Sequence, residues 1–185
     1  MQSNILINVL NKIKIFVEKY KFIILVTSTL IFIDQISKFI TTNKLVNNEI
    51  YIPTYIGKII SFCHIKNKGF AFNILETFKY TKILIFIIRI ILIYFITVKI
   101  FKIEKYTQNK KISTSYSLIC SGGISNTIDF IFYNSAIDIF LFNITNTTNN
   151  YIQNVSFNLA DIFILIGTII FLFSLKTINK NNNNK

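Results

Sequence analysis

Four mostly apolar stretches, each close to twenty positions long, punctuate a chain otherwise rich in Lys and Asn; they lie at 22–40, 83–101, 114–132 and 157–175. None of them contains Pro. At about 1.5 Å per residue, a helix of that length crosses a hydrocarbon core of roughly 30 Å. The pattern predicts a mainly α membrane protein, a bundle of four transmembrane helices forming a single integral domain over 1–185. The third stretch is the most polar. The first follows Lys12, Lys14, Lys19 and Lys21, as a secretory signal would, but no small-residue cleavage pattern follows and the run continues through Asp34, Gln35 and Lys38. It is therefore expected to be a retained helix. The first twenty residues are expected to form an interfacial helix.

The segment 42–81, between the first two spans, is not plain linker. Positions 50–52 and 56–65 are rich in Ile, Tyr and Phe, Lys66-Asn67-Lys68-Gly69 reads as a turn, and a further apolar run follows at 70–75. This predicts a small β-structure on the outer membrane surface. Residues 133–156 read as a second outer loop, and 179–185 as an Asn-rich tail.

Composition sharpens this picture. Hydrophobic residues make up 52% of 185, with 19 Phe and 9 Tyr, more apolar surface than a soluble chain of this size can hide. Two cysteines, Cys63 and Cys120, exclude a disulfide scaffold and read as free thiols. A single histidine, His64, argues against a His/Cys zinc site and reads as structural. Lys and Arg number 20 against 8 Asp and Glu, for a net charge of +12. Nucleic acid is the usual partner of such a balance, but the lysines flank apolar runs instead of forming one stripe, so no nucleic acid is expected. Arg89 sits within the second span, where it can snorkel or pair with an inner carboxylate.

Lysine placement orients the bundle. Twelve lysines fall on the side that holds both termini and the loop after the second span; six fall on the other side. Both ends are thus expected in the cytoplasm.

In that orientation the carboxylates separate into two groups. The four Glu (Glu18, Glu49, Glu76, Glu104) lie in flanks and loops, while the four Asp lie in or beside spans. Asp34 falls about 18 Å and Asp129 about 22 Å from the inner face; Asp161 lies about 6 Å below the outer one. Asp138 lies just past the outer end of the third span. All four cluster toward the outer face. A carboxylate in a bilayer costs a few kcal/mol and needs a partner or a purpose. Helical spacing puts Asp34 with Lys38, Asn126 with Asp129, and Asn158 with Asp161 on shared faces. Each has an ordinary reading: an ion pair, a helix–helix hydrogen bond, a loop carboxylate, a helix-start acid. Together they also allow a different chemistry. Two carboxylates brought close share a proton, so that one acts as base on a water and the other as acid on a carbonyl. That is one way to hydrolyse a peptide without a nucleophilic Ser or Cys and without a metal. Membrane carboxylates also mark proton-coupled transport paths, although no inverted repeat or broken helix accompanies them here.

Five motifs in order then point to a family. Asp34-Gln35-Ile36-Ser37-Lys38 is similar to the DQxxK signature of lipoprotein signal peptidase (signal peptidase II), the bacterial membrane aspartyl protease. Asn67-Lys68-Gly69-Phe70-Ala71-Phe72 is similar to its NxGxAF signature, in the loop where that family has a β-cradle. Gly122-Gly123-Ile124-Ser125-Asn126-Thr127-Ile128-Asp129 resembles GGxxGNxxD, Ala136-Ile137-Asp138-Ile139-Phe140 resembles its VxDF element, and Phe157-Asn158-Leu159-Ala160-Asp161 resembles FNxAD. The resemblance covers nearly the whole chain. It implies Asp138 and Asp161 as catalytic residues, supported by Asn67, Gly69, Asn126, Asp129, Asn158, Asp34 and Lys38. It implies an inner-membrane, monomeric enzyme that needs no cofactor or metal. Its expected partners are membrane lipid and a diacylglyceryl-modified prolipoprotein, cut before the lipidated cysteine. Two positions depart from the family: Phe130 stands where it has Arg, and Ser125 where it has Gly. They leave open an altered or inactive relative that binds lipoproteins.

Overall fold

The computed structural model describes residues 2–51, 59–67, 87–88, 90–98, 102, 109–145 and 152–183. In chain order the elements are α1 (Gln2–Lys44), β1 (Ile50–Tyr51), β2 (Ile60–Asn67), α2 (90–98), α3 (Lys110–Tyr133), β3 (Ala136–Thr145), β4 (Ile152–Phe157) and α4 (Leu159–Asn183). The fold is mainly helical with one small antiparallel sheet.

α1 is 43 residues long, about 64 Å at helical rise. It holds the first expected span and continues without interruption through the first twenty residues. Among the described residues two helical stretches are long and apolar enough to cross a bilayer, Ile5–Lys44 and Leu159–Thr177. The second expected span, 83–101, lies only partly within the described residues, and Arg89 lies outside them.

Polar side chains occupy the interior and apolar ones the outside. Asp34, Lys38, Ser117, Ser121, Asp129 and Asn158 are buried, while Leu25, Phe32, Phe39, Leu172 and Phe173 are exposed. This inversion suits a surrounding of lipid tails, where helices associate through small and polar residues instead of through apolar burial. α3 carries the device that permits it. Ser113, Ser117, Ser121 and Ser125 recur every four residues, which places them on one helix face, and all four are buried. Ser117 and Ser125 both meet α1, Ser117 through the Ile23 carbonyl and Ser125 through Asp34 and Gln35. A small apolar cluster of Ile112 and Ile119, with Ile96, Tyr116 and Phe171 against it, joins α2, α3 and α4.

The α3–α4 contact is closest at Gly122. A Cβ there would land on the Ala160 carbonyl oxygen and close to Ile164. A backbone oxygen cannot swing aside. Gly122→Ala is therefore expected to destabilise by about 1–3 kcal/mol through overpacking, less up to about 1 kcal/mol regained in helix propensity. A lower melting temperature in detergent, alongside reduced activity as α4 is pushed outward, is the expected reading.

The sheet runs β1-β2-β3-β4, with every neighbouring pair antiparallel. Of the β-structure expected in the first outer segment, β1 and β2 are present; Lys66 and Asn67, expected in a turn, still pair with Ile137 and Ala136 at the end of β2, and 68–75 lie outside the described residues. Residues 133–156, expected as a loop, instead contribute β3 and β4. The reason is local. Ala136 through Ile139 are all buried, so the start of β3 is covered on both faces, and with Asp138 inside it the stretch lacks the apolar–polar alternation that announces a half-exposed strand. The fourth helix also starts later than expected, since Phe157 ends β4 against Phe140 and Asn158 precedes the first helical residue. The tail is helical to Asn183.

α3 turns into β3 within three residues. Asn134 adopts the left-handed conformation at φ 53°, and its N–H donates to the Phe130 carbonyl. Asn is one of the few residues that tolerate this conformation at a helix end. The turn puts Asp129, the last acid of α3, beside the start of the strand that carries Asp138.

Candidate active site

One cation organises the helical half of the site. Lys38 Nζ lies 2.6 Å from Asp34 Oδ2 and 2.6 Å from Asp129 Oδ2, and donates to Asn126 Oδ1 at 3.2 Å. Three acceptors match the three donors of an ammonium, which is how a lysine only 2% exposed stays satisfied. Asp34 also accepts from the Ser125 hydroxyl at 2.6 Å and from the Ala160 N–H at 2.9 Å. Asp129 also accepts from Gln35 at 2.8 Å and from the Ile137 N–H at 3.3 Å. Asp34 therefore ties α1 to α4, and Asp129 ties α1 to the strand β3. In both cases the partner segment leads directly to another aspartate.

The start of α4 is a reciprocal cap. Asn158 Oδ1 accepts from the Asp161 N–H at 3.0 Å, and Asp161 Oδ2 accepts from the Asn158 N–H at 3.1 Å. This is the capping-box arrangement built from Asn and Asp, so the helix-start reading of Asp161 holds in its geometry. Its other oxygen accepts from Asn126 at 2.9 Å. The Asn158 amide faces Asp138 Oδ1 at 3.1 Å, Asn126 Oδ1 at 3.1 Å and the Ile137 carbonyl at 3.2 Å. Asn158 thus touches both Asp138 and Asp161 and holds them in one cluster.

Asp138 sits on the central strand β3, opposite Ile65 of β2. Asn67, one pleat away, donates to its Oδ2 at 3.1 Å, and Ser156 of β4 donates to the same oxygen at 2.6 Å. The residue is 1% exposed. Burial pushes its carboxyl up to about 6, the charge of Asp161 adds to the rise, and the Ser156, Asn67 and Lys38 contacts hold it back. A cavity of about 590 Å³ is lined by Asn67, Asn126, Asp138 and Asp161 of this cluster together with apolar residues such as Ile93 and Leu165.

The structure therefore brings together Asp34, Lys38, Asn67, Asn126, Asp129, Asp138, Asn158 and Asp161. Gly69 lies outside the described residues. Phe130 is buried. Cys63 and Cys120 are free thiols; burial first, and the Asp138 charge second, push Cys63 up to about 12. His64 is structural: its Nδ1 lies 2.9 Å from the Leu45 carbonyl oxygen, joining the end of α1 to β2. Three participants escape sequence reasoning. Ser125 stands out in the sequence only as a departure from the family's Gly, yet it bridges Asp34 and Gln35. Gln35 belongs to the first motif but has no role assigned from it, and Ser156 lies outside all five motifs.

Comparison with known proteins identifies the family. The family description "Signal peptidase (SPase) II" matches residues 26–177. The lipoprotein signal peptidase of Chlamydia felis is 38% identical over 122 residues, covering 64% of this chain and 67% of that protein. Those of Borreliella afzelii and Streptococcus agalactiae are each 30% identical, covering 78% and 86% of this chain and 83% and 94% of theirs. A solved bacterial membrane enzyme shares the fold with a TM-score of 0.70 at 24% identity, covering 89% of this chain and 93% of that one. The family match takes in the parts of α1, α3 and α4 that form the Asp–Lys network and the strands between them, and over that length the chain belongs to the signal peptidase II family.

Proposed function

We propose that this protein is an aspartic endopeptidase that removes the signal peptide from diacylglyceryl-modified prolipoproteins by cutting before the lipidated cysteine. The observation that carries the reading is the joint anchoring of Asp138 and Asp161 by Asn158 at the wall of a mostly apolar cavity. The two carboxyls share one proton, and the pair titrates as a unit. The ionised member takes a proton from a water, whose oxygen attacks the scissile carbonyl carbon. The protonated member gives its proton to the carbonyl oxygen. As the tetrahedral intermediate collapses and the C–N bond breaks, the carboxyl that took the water's proton passes it to the nitrogen, which leaves as the new amino terminus of the lipidated cysteine, and a hydroxyl of the intermediate returns its proton to the other carboxylate, leaving the peptide carboxyl and restoring the shared proton. Asn67, Asn126 and Asn158 hold the carboxyls in place, while Asp34, Lys38 and Asp129 hold the elements that carry them. The protein is read as a monomer with four spans, both termini cytoplasmic and the site toward the outer face of the inner membrane.

The test is purified protein in detergent with a lipidated prolipoprotein. Cleavage before the lipidated cysteine, insensitive to chelators, is expected. Activity should follow a bell-shaped pH curve. It falls at low pH, where both carboxyls are protonated, and at high pH, where the shared proton is lost. The raised Asp138 carboxyl, at about 6, belongs to the alkaline limb. Bound substrate removes further water and moves that limb upward. A rate that climbs steadily through pH 9 would contradict a shared proton.

A second reading, a lipoprotein-binding relative without activity, is favoured by Phe130 in place of the family's Arg. It predicts substrate binding with no product in the same assay.

A further inference from the structure

We propose that Ser156 is a positioning residue for this cleavage, holding Asp138 in one orientation whether that carboxyl is ionised or protonated. The inference rests on the reading of Asp138 and Asp161 as the acting pair.

Among the described residues three side chains donate to the Asp138 carboxyl, and they differ in kind. Asn67 and Asn158 present amide N–H groups, which only donate. They suit the ionised carboxylate and lose a partner wherever a proton arrives. Ser156 presents a hydroxyl, which donates or accepts according to how its hydrogen rotates. Its contact is also the shortest of the three, 2.6 Å against 3.1 Å for each amide. When Asp138 is ionised, Ser156 donates to Oδ2. When Oδ2 carries the proton, that proton can be donated to Ser156 Oγ, and the contact survives the change of charge. A residue that alternates between acid and base in each turnover needs such a partner.

The backbone around Ser156 is held by the ladder to β3 and by the helix cap that follows it. It pairs with Leu141 in the β3–β4 ladder, the next residue pairs with Phe140, and the residue after that is the Asn158 cap of α4. Ser156 also lines the cavity beside Asp138. The other titratable or charged groups around Asp138 come from each packed element: Asp161 from α4, Lys38 with Asp34 from α1, Asp129 from α3, and Cys63 of β2, whose thiol donates to the Asp138 carbonyl oxygen at 3.6 Å. Replacing Ser156 leaves all of them in place, so a change in titration is attributable to the hydroxyl.

The experiment compares wild type, Ser156→Ala and Ser156→Thr as full-length protein cleaving a lipidated prolipoprotein across pH. Ser156→Ala is expected to lower kcat about tenfold or more with KM little changed, the scale of one hydrogen bond to a charged group. It should also move the limbs of the pH profile upward: Ser156 keeps its contact in both states, but the bond to the charged carboxylate is the stronger one, so its loss costs the ionised form more. Ser156→Thr should restore both, as it keeps the hydroxyl. Wild-type kcat and limb positions in Ser156→Ala would overturn the proposal. So would a loss of kcat with unmoved limbs, the mark of scaffold damage alone. If Ser156→Ala fails to fold, Ser156→Cys decides: its weaker donor should shift the limbs part of the way, and an unshifted profile overturns the proposal. Normal cleavage by Asp138→Asn would instead remove the pair reading itself, whereas an inactive Asp138→Asn beside an unshifted Ser156→Ala removes only the role of Ser156.

Discussion

Cleavage of a lipidated prolipoprotein falls by at least about 10²-fold, and by as much as about 10⁴-fold, in both Asp138→Asn and Asp161→Asn, the range that a positioned acid or base contributes. Asn keeps the shape of the side chain but can neither take the proton from water nor deliver one to the carbonyl. Structure adds a complication that the assay must separate. Each Asp138 oxygen faces a donor, and so does each Asp161 oxygen. An Asn at either position turns its own NH₂ toward one of those donors. Asp161→Asn also weakens the capping box, worth about 1 kcal/mol. Both variants are therefore expected to melt somewhat earlier. The decisive result is the double variant. Residues that act as one unit are non-additive in rate, so Asp138→Asn with Asp161→Asn should be no slower than either single variant, while stability losses from separate contacts accumulate. If one Asn variant cleaves at the wild-type rate, that residue is not part of the pair.

How much of this is legible in the sequence depends on which physical rule governs each element. The helices α1 and α4 announce themselves, because each carries an apolar stretch long enough to cross a bilayer. The pairing of Asp34 with Lys38 follows from i,i+4 spacing and is present at 2.6 Å. The role of Asp129 is harder. Its spacing to Asn126 is readable, but its bond to the Ile137 N–H depends on a tight left-handed turn at Asn134 that nothing in the hydrophobic pattern marks. β3 hides for a related reason: buried on both faces at its start, it lacks period-two alternation there, and the Asn- and Thr-rich stretch after it reads as loop. Ser125 shows in the sequence only as a departure from the family's Gly, since nothing there reveals that the Asp34 carboxylate lies beside it. Ser156 is invisible for the same reason. A hydroxyl acquires a role only from the acceptor that tertiary structure brings to it, and here that acceptor arrives from a different strand.

Lys38→Met is expected to be the most destabilising single change in the protein. Lys38 is 2% exposed and is the only cation among the described residues bonded to Asp34 or Asp129, both of which are fully buried. Methionine fills a similar volume, so the effect isolates the charge. Breaking a buried ion pair from one side leaves an uncompensated buried charge and costs roughly 3–5 kcal/mol; here two carboxylates lose their cation together. At about 2–4 °C per kcal/mol for a chain of this size, the melting temperature should drop by roughly 6–20 °C. The site responds as well. Lys38 holds the Asp138 carboxyl down, so its removal raises that carboxyl further, and any residual activity should show its alkaline limb moved to higher pH. Neutralising one orphaned acid tests the explanation directly. Lys38→Met combined with Asp129→Asn should recover part of the lost stability. A double variant less stable than Lys38→Met alone would mean that the lysine contributes packing and backbone anchoring instead of charge balance.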